Sequence, residues 1–135
     1  MPIFGAIGIA STGATVYRKW LDAVSDNIAN MNNATDTRSA AFQAHYIQAR
    51  AVNYGSGTGG VEVAAALRSG NTQGRVVHEP DNPLADADGN VRYPDIDLGE
   101  QMTSLIMAQR GYQANLSVVD RARDAYNAAL QLGRS

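Results

Sequence analysis

The side chains able to do chemistry are few and scattered. His45 and His78 are the two histidines, and there is no cysteine, so a metal or acid–base site would have to be made from imidazoles and carboxylates. His78 stands beside Glu79, with Asp81 close behind. Adjacent residues of a strand point to opposite faces, which places His78 and Glu79 badly for sharing a ligand, and a locally bonded histidine is the expectation. Asp86, Asp88 and Gly89 have the residue types of a calcium loop. Setting Gly89 at the sixth loop position, however, puts Leu84 where the first carboxylate must be and Arg92 where another ligand belongs, so a tight turn is expected instead. No serine lies in a G-x-S-x-G elbow. The glycines at 55, 57, 59 and 60 lead into no Gly-Lys-Ser/Thr, and no G-x-G-x-x-G opens a helix. The residues therefore give no catalytic group, no cofactor site and no metal site.

What the chain does carry is two long apolar periodicities, one at each end. From 6 to 31, Ile7, Ala10, Ala14, Tyr17, Leu21, Val24, Ile28 and Met31 step by three and four, the spacing of a coiled-coil seam. A second line, Ala6, Ile9, Gly13, Val16, Trp20 and Ala23, runs beside it. At about 100° per residue the two lines span roughly 160°, wider than the roughly 100° stripe of a helix facing a single core. Such a helix is expected to pack on two sides, against its own chain and against a neighbour. The second helix is expected to open at Asp97, with Glu100 three residues on as in a capping box. Along it Leu98, Leu105, Tyr112, Val119 and Tyr126 recur every seven residues, flanked by Ala108, Ala122 and Ala129 on one side and Met102, Leu116 and Leu130 on the other. Gly133 is the expected stop.

Between the helices the pattern changes. Pro2 is tolerated in the first helix only because it lies in the opening turn, and Asn30, Asn32, Asn33, Thr35 and Asp36 are expected to end that helix. Residues 34–52 read as a weak, strand-like excursion, and the glycines at 55, 57, 59 and 60 as a flexible turn. Val61, Val63, Ala65 and Leu67 alternate with Glu62, Ala64, Ala66 and Arg68 as in a half-buried strand. Residues 75–79 read as another strand, and Asp88-Gly89 as a turn into a short strand holding Val91 and Tyr93. The expected fold is mainly α with a small β-rich insert, organised as residues 1–33, 34–96 and 97–135, the outer two pairing as a coiled coil.

Composition narrows the partners. The 135 residues are 44% hydrophobic with a net charge of −2, and no Lys/Arg cluster has the density that a phosphate backbone requires. Nucleic acid is set aside. No apolar run approaches the roughly 20 residues of a membrane span, and no cleaved signal pattern opens the chain. No small-molecule substrate is indicated.

Some of these residues resemble a known family. Leu21, Asp22 and Ala23, then Val24, Ser25, Asp26, Asn27, Ile28, Ala29 and Asn30 closely resemble the N-terminal signature of bacterial flagellar basal-body rod proteins. The run from Asp86 to Asp97 resembles the lead-in to the C-terminal helix in the proximal-rod branch of that family, and Tyr112, Gln113, Ala114 and Asn115 match its tyrosine-x-alanine-asparagine motif. The resemblance implies a structural rod subunit that assembles helically with itself, with other rod proteins, and with ring or export-gate adaptors at the base. It also implies export by the flagellar type III system and a place in the periplasmic part of the basal body. The residues expected at assembly contacts are Ile7, Ala10, Ala14, Tyr17, Trp20, Leu21, Val24, Ile28, Leu105, Tyr112, Leu116, Val119 and Tyr126. A small secreted helical-hairpin or coiled-coil adaptor is the competing reading, and it would have a short helix connection and no β insert. An enzyme is the third and weakest.

Overall fold

The computed structural model describes residues 2–55 and 59–134. In chain order these form α1 (Pro2–Asn30), β1 (Ala44–Asn53), β2 (Gly59–Ser69), β3 (Arg75–His78), β4 (Asn90–Tyr93) and α2 (Leu98–Leu132). Two long helices thus enclose a small β insert in sequence, as the periodicities require. The chain divides into two compact units. The first takes residues 1–21, 47–65 and 106–135, and the second takes 22–46 and 66–105.

The ends of both helices have local chemical causes. Helix α1 begins at Pro2, where a missing amide hydrogen costs nothing. It stops at Asn30, whose side-chain amide turns back to the Asp26 carbonyl at 2.8 Å and to its carboxylate at 3.1 Å. Helix α2 is capped as expected: Asp97 Oδ1 accepts the Glu100 amide at 2.7 Å, and the Asp97 carbonyl accepts that of Gln101 at 3.1 Å. Gly133 follows the last helical residue and gives its amide to the Ala129 carbonyl at 3.1 Å.

The β insert is two separate two-stranded sheets, β1–β2 and β3–β4. Strand β1 begins at Ala44, so the strand-like reading of residues 34–52 holds from Ala44 onward and 34–43 lies outside the named strands. Across β1–β2, Arg50 pairs with Glu62 and the Gln43 side chain donates to the Gly70 carbonyl at 2.9 Å. The later residue of β1 meets the earlier one of β2, the order of an antiparallel pair. Gly55, at φ 79°, lies just past β1. Ser56, Gly57 and Thr58, part of the expected glycine turn, lie outside the described residues. Gly59 and Gly60 are strand, not turn. Strands β3 and β4 are antiparallel with Val77 opposite Val91 and Val76 opposite Arg92. Thr35 bridges the free edge of β4, exchanging backbone bonds with Arg92 at 2.7 and 2.9 Å. The turn before β4 is held by Asp86, whose Oδ1 accepts the amides of Asp88 and Asn90 at 3.0 and 2.9 Å and whose Oδ2 accepts the Thr37 hydroxyl at 2.8 Å. Gly89 sits at φ 77° in that turn, a left-handed position that glycine takes without strain.

The core is made of small side chains. Among the described residues the buried apolar ones are Ala10, Ala14, Ala23, Ala41, Ala44 and Ala108, with Val24 and Val91. Large apolar groups lie largely outside it, and this asymmetry bears directly on function.

Candidate assembly surface

Within the first unit, α1 and α2 run antiparallel, since Phe4 meets Tyr126, Gly13 meets Asn115, and Tyr17 meets Gly111. The approach is close because glycine stands on one side of two of these contacts. A Cβ built on Gly111 would fall 2.3 Å from the Tyr17 ring, and one on Gly13 would fall 2.6 Å from Asn115 Oδ1. Asn115 is itself held in place by donating to the Gly111 carbonyl at 2.8 Å. Phe4 and Tyr126 finish the pair with an edge-on ring contact at 5.4 Å.

A second side of α1 in the same unit is covered by the β1–β2 pair. Thr12 Oγ1 accepts the Val61 amide at 3.1 Å while donating to the Ile9 carbonyl at 2.7 Å. Gly60 lies so close that a Cβ would fall 2.9 Å from that hydroxyl. Further along, Val16, Tyr17 and Trp20 share an apolar cleft of about 200 Å³ with Ile47 and Ala49. Within this unit α1 therefore meets the chain on two sides, helix on one and sheet on another, while Ile9 of its second line stays 48% exposed.

The second unit is organised by one buried asparagine. Asn27 has no exposed surface, and its side-chain amide donates to the His45 carbonyl and to Gln101 Oε1, both at 2.9 Å. Its Oδ1 accepts the His45 amide at 2.7 Å. One side chain thus ties α1 to the start of β1 and to α2, and Gln101 is only 2% exposed. His45 Nδ1 lies 2.8 Å from Asp26 Oδ2, and its ring stands against Phe42 at 5.1 Å. The remaining polar groups serve the fold locally. Glu79 accepts the Asn82 side-chain amide at 2.9 Å and the Tyr93 hydroxyl at 3.0 Å, and the bond from Tyr93 raises the Tyr93 pKa. His78 faces Asn90 at 3.3 Å. The Arg38 guanidinium, aided by its backbone amide, holds Asp36 down at about 2. The backbone amide of Asn90, with the Thr37 hydroxyl, likewise lowers Asp86. Among the described residues no three His, Asp or Glu converge as a metal site.

Helix α2 shows where surface is left over. Gln101, Leu105, Ala108, Tyr112, Asn115, Val119, Ala122 and Tyr126 alternate by four and three and are all buried or half-buried. At about 100° per residue they make one seam. On one flank of it Leu98, Met102, Ile106 and Leu116 are 41% to 47% exposed. On the other, Met107 and Val118 are exposed beside Ala114 and Ala125. No helix is long and apolar enough to cross a membrane among the described residues.

The residues singled out in sequence divide accordingly. Ala10, Ala14 and Val24 are buried within the chain, and Ile7, Tyr17, Trp20, Leu21, Ile28, Leu105, Tyr112, Val119 and Tyr126 are half-buried, while Leu116 is exposed. Of the signature positions Asn27 is buried and Asn30 and Asn115 half-buried, whereas Ser25, Ala29 and Ala114 face outward. Gln101 and Gly111 went unread. Their signal was a polar and a very small residue interrupting the seam of α2, opposite an asparagine and a tyrosine on α1.

A family profile described as "Flagellar basal body rod FlgEFG protein C-terminal" matches residues 87–132. Over nearly its whole length the chain is similar to proteins named flagellar basal-body rod protein FlgC. That of Salmonella typhimurium is 32% identical over 99% of this chain and 100% of the relative. That of Agrobacterium fabrum is 34% identical over 97% and 95%, and that of Bacillus subtilis 24% over 99% and 100%.

Proposed function

The chain belongs to the FlgC family of flagellar basal-body rod proteins, structural subunits of the rod, and from that premise we propose how it takes its place there. The observation that carries the reading is the unequal cover of α2: its seam is occupied by the chain's own α1, and both flanks keep large apolar side chains in water. Contiguous apolar surface of this kind marks a protein contact. In this reading the terminal helices, residues 1–33 and 97–135, pair as a coiled coil and form the inner, load-carrying layer of a helical tube. Residues 34–96 lie outside it. Copies of the chain and other rod proteins cover the α2 flanks, adaptors of the ring and export gate meet the base, and the chain reaches the periplasmic rod through the type III system. Close-packed helices shared among many subunits transmit torque because packed interiors resist deformation.

The test is to charge the flanks without touching the seam. Ile106→Asp with Met107→Asp should leave the helical signal and unfolding temperature of the purified chain unchanged, and should abolish incorporation into basal bodies and swimming. Normal motility with both flanks charged would overturn the proposal. A secreted helical-hairpin adaptor is disfavoured by the β insert, and an enzyme by relatives named as flagellar basal-body rod proteins.

A further inference from the structure

The seam between α1 and α2 poses a problem of alignment. Ala10, Ala14 and Ala23 on α1 and Ala108 and Ala122 on α2 are nearly interchangeable. Beside them Leu105, Tyr112, Val119 and Tyr126 recur every seven residues, and a heptad seam packs almost equally well after one helix slips by seven residues. Two contacts break the degeneracy. Tyr17 fits only against Gly111, because one slip sets its ring against Val118 or Ser104. Asn27 finds a buried acceptor only at Gln101, because one slip sets it against Ala108 or beyond the start of α2. The two contacts lie ten residues apart on each helix, and both select the same alignment.

We propose that Tyr17–Gly111 and Asn27–Gln101 are a pair of register keys, which select one antiparallel alignment of α1 and α2 where the apolar seam alone selects none. A single slip would carry every exposed side chain of α2 about 10 Å along the helix axis relative to α1. The keys therefore fix which residues of α1 stand beside the apolar flanks of α2. This goes beyond the proposed assembly and does not depend on it, since it concerns the isolated chain.

The chain lacks cysteine, so engineered pairs report alignment without interference. Gly13→Cys with Asn115→Cys reads the native register, because a Cβ at 13 lies 3.0 Å from the Cγ of residue 115, within the reach of a disulfide. Gly13→Cys with Ala122→Cys, or with Ala108→Cys, each carrying Asn115→Ala so that the new Cβ at 13 meets no side-chain amide in the native register, reads a slip of one heptad in either direction. The keys are removed by Tyr17→Ala together with Gln101→Leu, which leaves the bonds from Asn27 to His45 in place. With both keys present, only the native pair should cross-link within one chain. With either key alone the native yield should stay within about twofold. With neither, the native yield should fall at least fivefold and a slipped pair should appear while the helical signal persists. Undiminished native cross-linking without the keys would overturn the proposal, because the seam would then set the alignment by itself. Loss of cross-linking in every register would overturn it equally, because the contacts would then be holding the helices together rather than choosing between alignments.

Discussion

Asn27→Ala should be among the most damaging single changes in the second unit. The substitution deletes three hydrogen bonds, to the His45 amide, the His45 carbonyl and Gln101 Oε1. His45 is half-buried, so water can re-enter there and each of its two bonds is worth about 1 kcal/mol. Gln101 is 2% exposed and would keep an unpaired acceptor at a cost of about 2 kcal/mol. The total is roughly 4 kcal/mol, which for a chain of this size lowers the unfolding temperature by about 15 °C. Asn27→Asp adds a charge to the same defect, placing carboxylate oxygens against the His45 carbonyl and Gln101 Oε1. Burial beside acceptors raises the pKa of that new carboxyl in the folded state, so its penalty is present at neutral pH and shrinks as pH falls and the group protonates. Thermal unfolding followed by circular dichroism, with amide exchange read at His45, measures both variants. An Asn27→Ala chain that melts within about 3 °C of the parent, with the His45 amide still protected, would refute the idea that this side chain organises the unit.

Two further outcomes follow from geometry already described. Gly111→Ala drives a methyl group into the Tyr17 ring and should cost about 1 to 3 kcal/mol, seen as a lower urea midpoint with an unchanged slope. Asp36 and Asp86 both have folded pKa values below their unfolded ones. Their contribution is therefore complete above about pH 4 and is lost as pH falls through the folded values, about 2 for Asp36. The urea midpoint should drop across that window, and Asp86→Asn, which keeps an acceptor for the turn amides but does not titrate, should drop less.

Much of the architecture was legible because its causes are local. The Asp97 cap, the asparagines after α1, the alternation at 61–67 and the Asp88-Gly89 turn each act within a few residues, and each element formed where expected. The buried centre was not legible in this way. Asn27 sits one residue from the apolar line through Val24 and Ile28, and only the convergence of β1 and α2 on that spot buries it. The surplus of apolar surface was read chiefly on α1, where two lines run side by side. In the first unit β1 meets part of the second through Val16 and Trp20, Gly13 faces Asn115 of α2, Ile9 stays exposed, and further surplus falls on α2. Glycines at 13, 60 and 111 permit the close approaches responsible, and no periodicity announces a glycine that is needed because of a partner far away in sequence.

The alanine core also has a mechanical meaning. The six buried alanine methyl groups contribute only about 5 kcal/mol of transfer free energy between them. On the proposed export as an unfolded thread, a core that holds the chain weakly is an advantage. In the proposed assembly, stiffness is supplied by neighbours that cover the exposed apolar flanks of α2.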